Sequence, residues 1–364
     1  MVTREETRAG GPAGASFLAR ARAWPYTFSV VFSAVVLAVT LTSAQLLDLP
    51  LRDPEGFLGP AYVRLPVMGL SFVAGGIFLQ ALWRARSWRV WPEAVAIVRN
   101  EWTWRRLGYI ATGLIIFYIC YVCYRNLKSF LPFVRPDTID DHWLFRVDYF
   151  LMFNHPPERI LHGLLGTDYA AHVLAFVYVS YLIVVPASLA AMLVWSRDLS
   201  RGAWYATALC LNWILGVCSY YIFPSLGPAF SEPQRYADLA ETSVTGLQRS
   251  LFSARIDVLD DPWGTEKIHG IAGFASLHVS VVFTVCIFLH RIGAHRYLRR
   301  FVWVYFALTV TATIYFGWHF IADDVAGAFI AWLSVYIGAI VTGNASVSAR
   351  NRKREAAGLA EGSA

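Results

Sequence analysis

Two histidines and an aspartate, His278, His319 and Asp323, interrupt stretches that are otherwise almost wholly apolar. Ionisable side chains at membrane depth are costly, which makes them functional candidates. His319 and Asp323 are four residues apart, a spacing that on a helix puts both on one face within hydrogen-bonding reach. A carboxylate on one imidazole nitrogen fixes the tautomer and leaves the other nitrogen free to attack. His278, protonated, can donate to a leaving oxygen. Upstream, Lys128-Ser-Phe-Leu-Pro-Phe-Val-Arg135-Pro136 offers two cations for anionic oxygens, with Arg135 suited to bidentate contact. The Ser276 hydroxyl adds a hydrogen bond. Nucleophile, acid and cation clamp together supply positioning and charge stabilisation, which is what phosphoryl transfer needs.

The elements that must hold these residues are membrane helices. Of 364 residues, 57% are hydrophobic and 15% charged, well short of the roughly 25% charged content of a soluble domain. About 20 apolar residues cross the hydrocarbon core as a helix. Eight candidate spans follow, at 25–48, 61–82, 107–124, 169–195, 203–223, 272–290, 301–317 and 323–342. The expected fold is an all-α, polytopic membrane helix bundle. Its expected parts are a cytoplasmic N-terminal segment (1–24), N-terminal transmembrane helices (25–124), a catalytic membrane domain (125–342) and a disordered cytoplasmic tail (343–364).

Charge tests this segmentation. With eight spans the two termini share a side with the loops 83–106, 196–202 and 291–300. That side carries 20 of the 31 Lys/Arg but only seven of the 25 Asp/Glu. The positive-inside rule makes it cytoplasmic. Because the formal charge of +6 is concentrated in short loops, it encodes topology and implies no nucleic-acid partner. Trp83, Trp88, Trp91, Trp102 and Trp104 fit an interfacial aromatic belt on the same side. Between 125 and 168, apolar Trp143, Phe145, Phe150 and Phe153 alternate with Asp140, Asp141, Arg146 and Asp148, as in an amphipathic helix lying at the interface. The five cysteines all fall in apolar runs, and Cys120-x-x-Cys123 reads as buried small side chains rather than a metal or redox pair.

This topology, drawn without the chemical clusters, places all three at the non-cytoplasmic ends of helices. The clusters resemble the three signature motifs of the type 2 phosphatidic acid phosphatase superfamily. The first, Lys-x6-Arg-Pro, is matched in full by Lys128 to Pro136. The second, Pro-Ser-Gly-His, reads Ala275-Ser276-Leu277-His278. The third, Ser-Arg-x5-His-x3-Asp, reads Ala312-Thr313-x5-His319-x3-Asp323, and the superfamily's later glycine is matched by Gly327. The Leu before His278, the Thr in place of arginine, and Phe223-Pro224-Ser-Leu-Gly-Pro228 are similar to the inositol phosphorylceramide synthase (inositolphosphotransferase) branch.

The resemblance implies that His319 is the nucleophile, Asp323 its orienter and His278 the acid and then the base. Lys128, Arg135 and Ser276 would bind phosphate, and no metal or other cofactor is implied. Arg235, Arg249, Arg255 and Lys267 are candidates to replace the missing third-motif arginine. Asp324 points about 100° away from Asp323 on a helix and ranks behind it. His269 is a lesser candidate for contact with substrate.

The leading expectation is an integral membrane lipid phosphotransferase moving a phosphoryl or phospho-headgroup, inositol phosphate among the candidates, between lipid substrates. Its expected location is the cell membrane, multi-pass, with cytoplasmic termini. A lipid-phosphate or polyprenyl-pyrophosphate phosphatase uses the same residues. A non-catalytic transporter is the reading of another class. It sits poorly with the intact His278, His319 and Asp323 and with the lack of internal repeats. Oligomeric state is left open.

Overall fold

The computed structural model describes residues 24–53, 55–56, 59–86, 90–136, 139–196 and 198–345. The expected N-terminal segment, most of the tail and Trp88 lie outside these residues. Thirteen α-helices are present among the described residues, in this order: α1 (Thr27–Leu47), α2 (Ala61–Ala85), α3 (Trp91–Glu101), α4 (Trp104–Val134), α5 (Asp141–Leu151), α6 (Pro157–Leu165), α7 (Tyr169–Trp195), α8 (Leu199–Ile222), α9 (Pro228–Ser231), α10 (Ser243–Asp260), α11 (Leu277–Arg291), α12 (Arg296–Tyr315) and α13 (Ile321–Val341). A minimal antiparallel pairing joins Glu55–Gly56 to Gly59–Pro60. The chain is a polytopic helical bundle.

Among the described residues six helices are long and apolar enough to cross a membrane: Thr27–Leu47, Tyr62–Ala85, Trp104–Val134, Tyr169–Trp195, Leu199–Ile222 and Ile321–Val341. The other two expected spans are helices of a different kind. α11 has 15 residues, about 22 Å at 1.5 Å per residue, against a hydrocarbon core of about 30 Å. It is packed against α8, α12 and α13, so protein replaces much of the lipid around it. α12 opens with Arg296, Arg299 and Arg300, and these dilute its apolar character. The third span also departs from expectation. It continues ten residues beyond 124 because Phe130 and Leu131 are buried along with the residues before them. Lys128 therefore stands on the helix and not in a loop.

α8 is the central element. It packs along α4 on one side and α13 on the other, and most of its residues are buried. Polar side chains tie it to its neighbours. Asn212 Nδ2 donates to Thr284 Oγ1 of α11 at 3.0 Å, Ser280 Oγ donates to Asn212 Oδ1, and Trp204 Nε1 donates to the Val335 carbonyl of α13 at 2.8 Å. Such bonds are the usual glue where lipid offers no hydrophobic drive between helices. At one end of the bundle Ser200 Oγ meets the Thr342 carbonyl, and Arg106 reaches the Val194 carbonyl. The ends of α4 and α8 and the starts of α11 and α13 gather at the other.

There α11 and α13 approach closely. Ser276 N–H donates to the Asp323 carbonyl at 3.0 Å. A Cβ on Gly327 would lie 2.3 Å from the Ser276 carbonyl oxygen, so only glycine permits this crossing. Because the obstacle is backbone, Gly327→Ala must push the two helix starts apart. We expect a loss of about 1–3 kcal/mol of stability, typical of overpacking. The check is thermal unfolding in detergent, and an unchanged midpoint would show that the crossing tolerates a methyl group.

Candidate active site

The site is built on a collar of backbone turns. Phe223 ends α8, and the following Pro224-Ser225-Leu226-Gly227 holds the segment that leads into α11. Gly273 N–H donates to the Ser225 carbonyl at 2.8 Å, and Phe274 N–H donates to Ser225 Oγ at 2.8 Å. Gly227 has φ +95, and a Cβ there would sit 2.4 Å from the Trp318 carbonyl, so the collar also touches the turn between α12 and α13. α5 fastens it from outside. The Asp141 carboxylate accepts from Leu226 N–H at 3.1 Å, from Gly227 N–H at 3.3 Å and from the Ser231 hydroxyl. Asp148, two turns on, accepts from Ile321 N–H, the first of α13, at 3.1 Å.

α5 is amphipathic as expected, and its orientation is now visible. Asp141 and Asp148 are each 3% exposed and face the protein, whereas Trp143, Phe150 and Phe153 are 53%, 82% and 87% exposed. The polar side is the anchoring side. Their seven-residue spacing, two turns of a helix, was the available signal that both carboxylates share a face.

His319 and Asp323 are paired, but not through a shared helical face. His319 precedes the helix, whose N-cap is Phe320. Asp323 Oδ2 accepts from Phe320 N–H at 3.0 Å and lies 3.3 Å from His319 Nδ1. One carboxylate thus caps α13 and orients the imidazole, leaving Nε2 for chemistry. Burial first, and then the neighbouring Lys128, hold His319 well below the usual histidine range, so it is neutral at pH 7. His278, on the first turn of α11, has its ring 6.0 Å from that of His319, centroid to centroid. Tyr178 and Tyr181 pack on it at 4.4 Å. Asp324 does not compete for His319, because Thr313 Oγ1 donates to its Oδ2 at 2.9 Å. The threonine in the third-motif arginine position therefore serves the neighbouring carboxylate.

His278, His319 and Lys128 line one cavity of about 630 Å³. Its wall is largely aromatic, including Tyr124, Tyr178, Trp213, Tyr220 and Trp318, and α10 roofs it with Ser243, Leu247, Ser250 and Leu251. Lys128 Nζ lies 5.0 Å from the Tyr220 ring centroid and 5.9 Å from that of Tyr124. Two further cations line it that motif reasoning missed, Arg64 on α2 and Arg125 on α4. Arg125 precedes Lys128 by three residues, so a shared helix face was the legible signal.

Arg135 and Ser276 are not brought to this cavity. Arg135 is the C-cap of α4, and its Nη1 donates to the Tyr221 carbonyl at 2.9 Å, tying α4 to α8. Ser276 is fully buried, and its Oγ caps α11 by accepting from Val279 N–H at 3.4 Å. The candidate replacements for the missing arginine are also engaged elsewhere. Arg235 pairs with Glu158 and Glu232, Arg249 with Glu241 and Lys267 with Asp257, while Arg255 Nη1 sits 2.9 Å from His269 Nε2. His269 is fully buried, and burial followed by the Arg255, Lys128 and Arg125 charges keeps it neutral.

The family model of the PAP2 superfamily matches residues 142–337, and the chain belongs to that superfamily. It is accordingly a membrane enzyme of the phosphatase/phosphotransferase type, as the paired histidines suggest. No curated protein and no solved structure matches this chain.

The buried anchor Asp148 carries a pH signature. Burial, with Asp323 and Glu158 adding to it against the bond from Ile321 N–H, pushes its carboxyl up to about 7. An unfolded aspartate titrates near ~4, so the folded chain holds the extra proton between these values. This contribution to stability is full below pH ~4 and is lost as pH rises through about 7. The melting temperature in detergent should fall over that window, and Asp148→Asn should flatten the slope. Identical slopes for the two proteins would assign the titration to another group.

Proposed function

We propose that the protein is a lipid phosphotransferase working through a phosphohistidine at His319. The observation that carries the reading is His319, oriented by Asp323, facing His278 and Lys128 across one aromatic cavity. His319 Nε2 attacks phosphorus, and the bond to the departing lipid oxygen breaks as His278 gives that oxygen a proton. Lys128 offsets the charge on the phosphoryl oxygens. In the second half His278 takes the proton of an acceptor hydroxyl, whose oxygen attacks phosphorus. The phosphorus–nitrogen bond then breaks and His319 is restored.

Phosphatase chemistry differs only in the acceptor, water in place of a lipid hydroxyl. The α10 roof supports transfer, because a covered site keeps water from the intermediate. The resemblance of Phe223 to Pro228 to the inositolphosphotransferase branch supports inositol phosphate as the group moved. The charge asymmetry of the loops supports cytoplasmic termini and a site on the other face of the cell membrane. On that reading Lys128, His278 and His319 reach substrate, and Arg135 and Ser276 act by holding α4 and α11 in place.

Purified protein in mixed micelles, offered phosphatidylinositol, phosphatidic acid and a polyprenyl pyrophosphate with ceramide and diacylglycerol, should yield a new phosphorylated lipid by mass spectrometry. His319→Ala should abolish it. Free phosphate or inositol phosphate without a new lipid would establish the phosphatase instead. Asp323→Asn, which presents the wrong partner to Nδ1, should lower kcat by about 10³–10⁴ with little change in KM, as for a comparable carboxylate–histidine pair. A change confined to KM would remove Asp323 from the orienting role. For topology, a cysteine introduced at 260 should react with an impermeant thiol reagent outside intact cells and one at 295 should not. The opposite pattern would reverse the proposed orientation.

A further inference from the structure

The charges of the cavity do not balance. Lys128, Arg125 and Arg64 line it, and among the described residues no aspartate or glutamate does. Arg64 lies close enough to Asp53 to feel its charge. Arg125 forms no ion pair among the described residues, and its Nε is buried without a hydrogen-bond partner. The Arg125 side chain is partly buried, and no carboxylate among the described residues pairs with it. His269 and Arg255, which lie near it, add no negative charge. The arrangement is also ordered in depth. Arg125 sits three residues before Lys128, about 4.5 Å further from the His319 end along the α4 axis. Lys128 is therefore the cation beside the reacting histidine, and Arg125 belongs to the next position along the cavity.

We propose that Arg125 holds a second anionic group of the substrate, distinct from the phosphoryl centre that reacts at His319. The ligand class is an amphiphile with two phosphate-type anions at its head, either a lipid diphosphate or a lipid whose polar head carries an additional phosphate. Arg64, from α2, closes the same end of the subsite. All three cations precede residue 142, where the family match begins. The matched segment supplies the paired histidines and the orienting carboxylate, and the N-terminal helices select the headgroup. A guanidinium suits this position because it presents a planar fork of donors to phosphate oxygens. The cavity, about 630 Å³, exceeds what one phosphate fills and accommodates such a head with part of its chain.

The kinetic part of the test rests on phosphoryl transfer at His319, and the binding part stands without it. Full-length protein in detergent is titrated calorimetrically with inorganic phosphate and inorganic pyrophosphate. Wild type should bind pyrophosphate at least tenfold more tightly. Arg125→Gln should lose that preference while binding phosphate within about threefold of wild type, and Arg125→Lys should restore part of it. Turnover is then compared for farnesyl monophosphate against farnesyl diphosphate, and for phosphatidylinositol against its 4-phosphate. The pair in which the doubly anionic member is favoured, and in which Arg125→Gln removes the advantage through KM, identifies the source of the second anion. Equal binding of phosphate and pyrophosphate by wild type would overturn the proposal, as would an Arg125→Gln loss of equal size for both. A protein that shows the binding preference yet turns over no lipid would sink the enzymatic reading and leave the subsite standing.

Discussion

The Asp323 carboxylate is the constraint on which the catalytic arrangement depends. It is buried at the start of α13, where it accepts from Phe320 N–H and meets His319 Nδ1. The carbonyl of the same residue accepts from Ser276 N–H, and so docks the start of α11, which carries His278. One residue therefore caps a helix, orients His319 and sets the distance to the second histidine. Gly327, one turn on, lets the two backbones come close enough for this to happen. Because capping and orientation share one carboxylate and the docking uses the same residue's backbone carbonyl, a change at Asp323 bears on all three. That explains why so many other bonds of the fold, from Ser225, Asp141 and Asp148, converge on the same few turns.

Around this centre the protein divides its labour. The core of the bundle, α8 with α11 and α13, holds the histidines in register through buried side-chain bonds such as those of Asn212. The cations come from α2 and α4, and the roof comes from α10. The paired histidines and the cations thus sit on different parts of the chain and meet at the cavity wall. A helix bundle accommodates this well, since facing side chains from several helices can be changed without altering the packing that sets the reactive pair.

Much of this was legible in the sequence, for reasons that can be traced to individual residues. Hydropathy located the helices because crossing lipid leaves few alternatives to a long apolar run. Two of the eight expected spans differ from the other six, α11 by being short and packed among its neighbours and α12 by opening with three arginines. His278, His319 and Asp323 could be read because the chemistry needs them at fixed separations. The four-residue spacing of His319 and Asp323 suggests a shared helical face, but His319 precedes α13 and helix capping by Asp323 makes the pair. Arg135 misled because the spacing from Lys128 is two full turns, about 10.5 Å. The helix ends at Val134, so Arg135 stands beyond the cavity against Tyr221. The three-residue spacing of Arg125 and Lys128 signals a shared face only on a helix that continues past residue 124, as α4 does. Arg64 was unreadable, because its place beside α4 is set by packing between segments distant in sequence.

α5 has one further consequence. Its outer side exposes Trp143 and Phe150, the kind of surface that settles among lipid headgroups. Its inner side holds the collar through Asp141 and the first turn of α13 through Asp148. The helix therefore joins an exposed aromatic surface to the backbone two residues from His319. Whatever settles against those rings is separated from the paired histidines by only two hydrogen-bonded carboxylates, so the outer face of α5 and the cavity are parts of one mechanical unit.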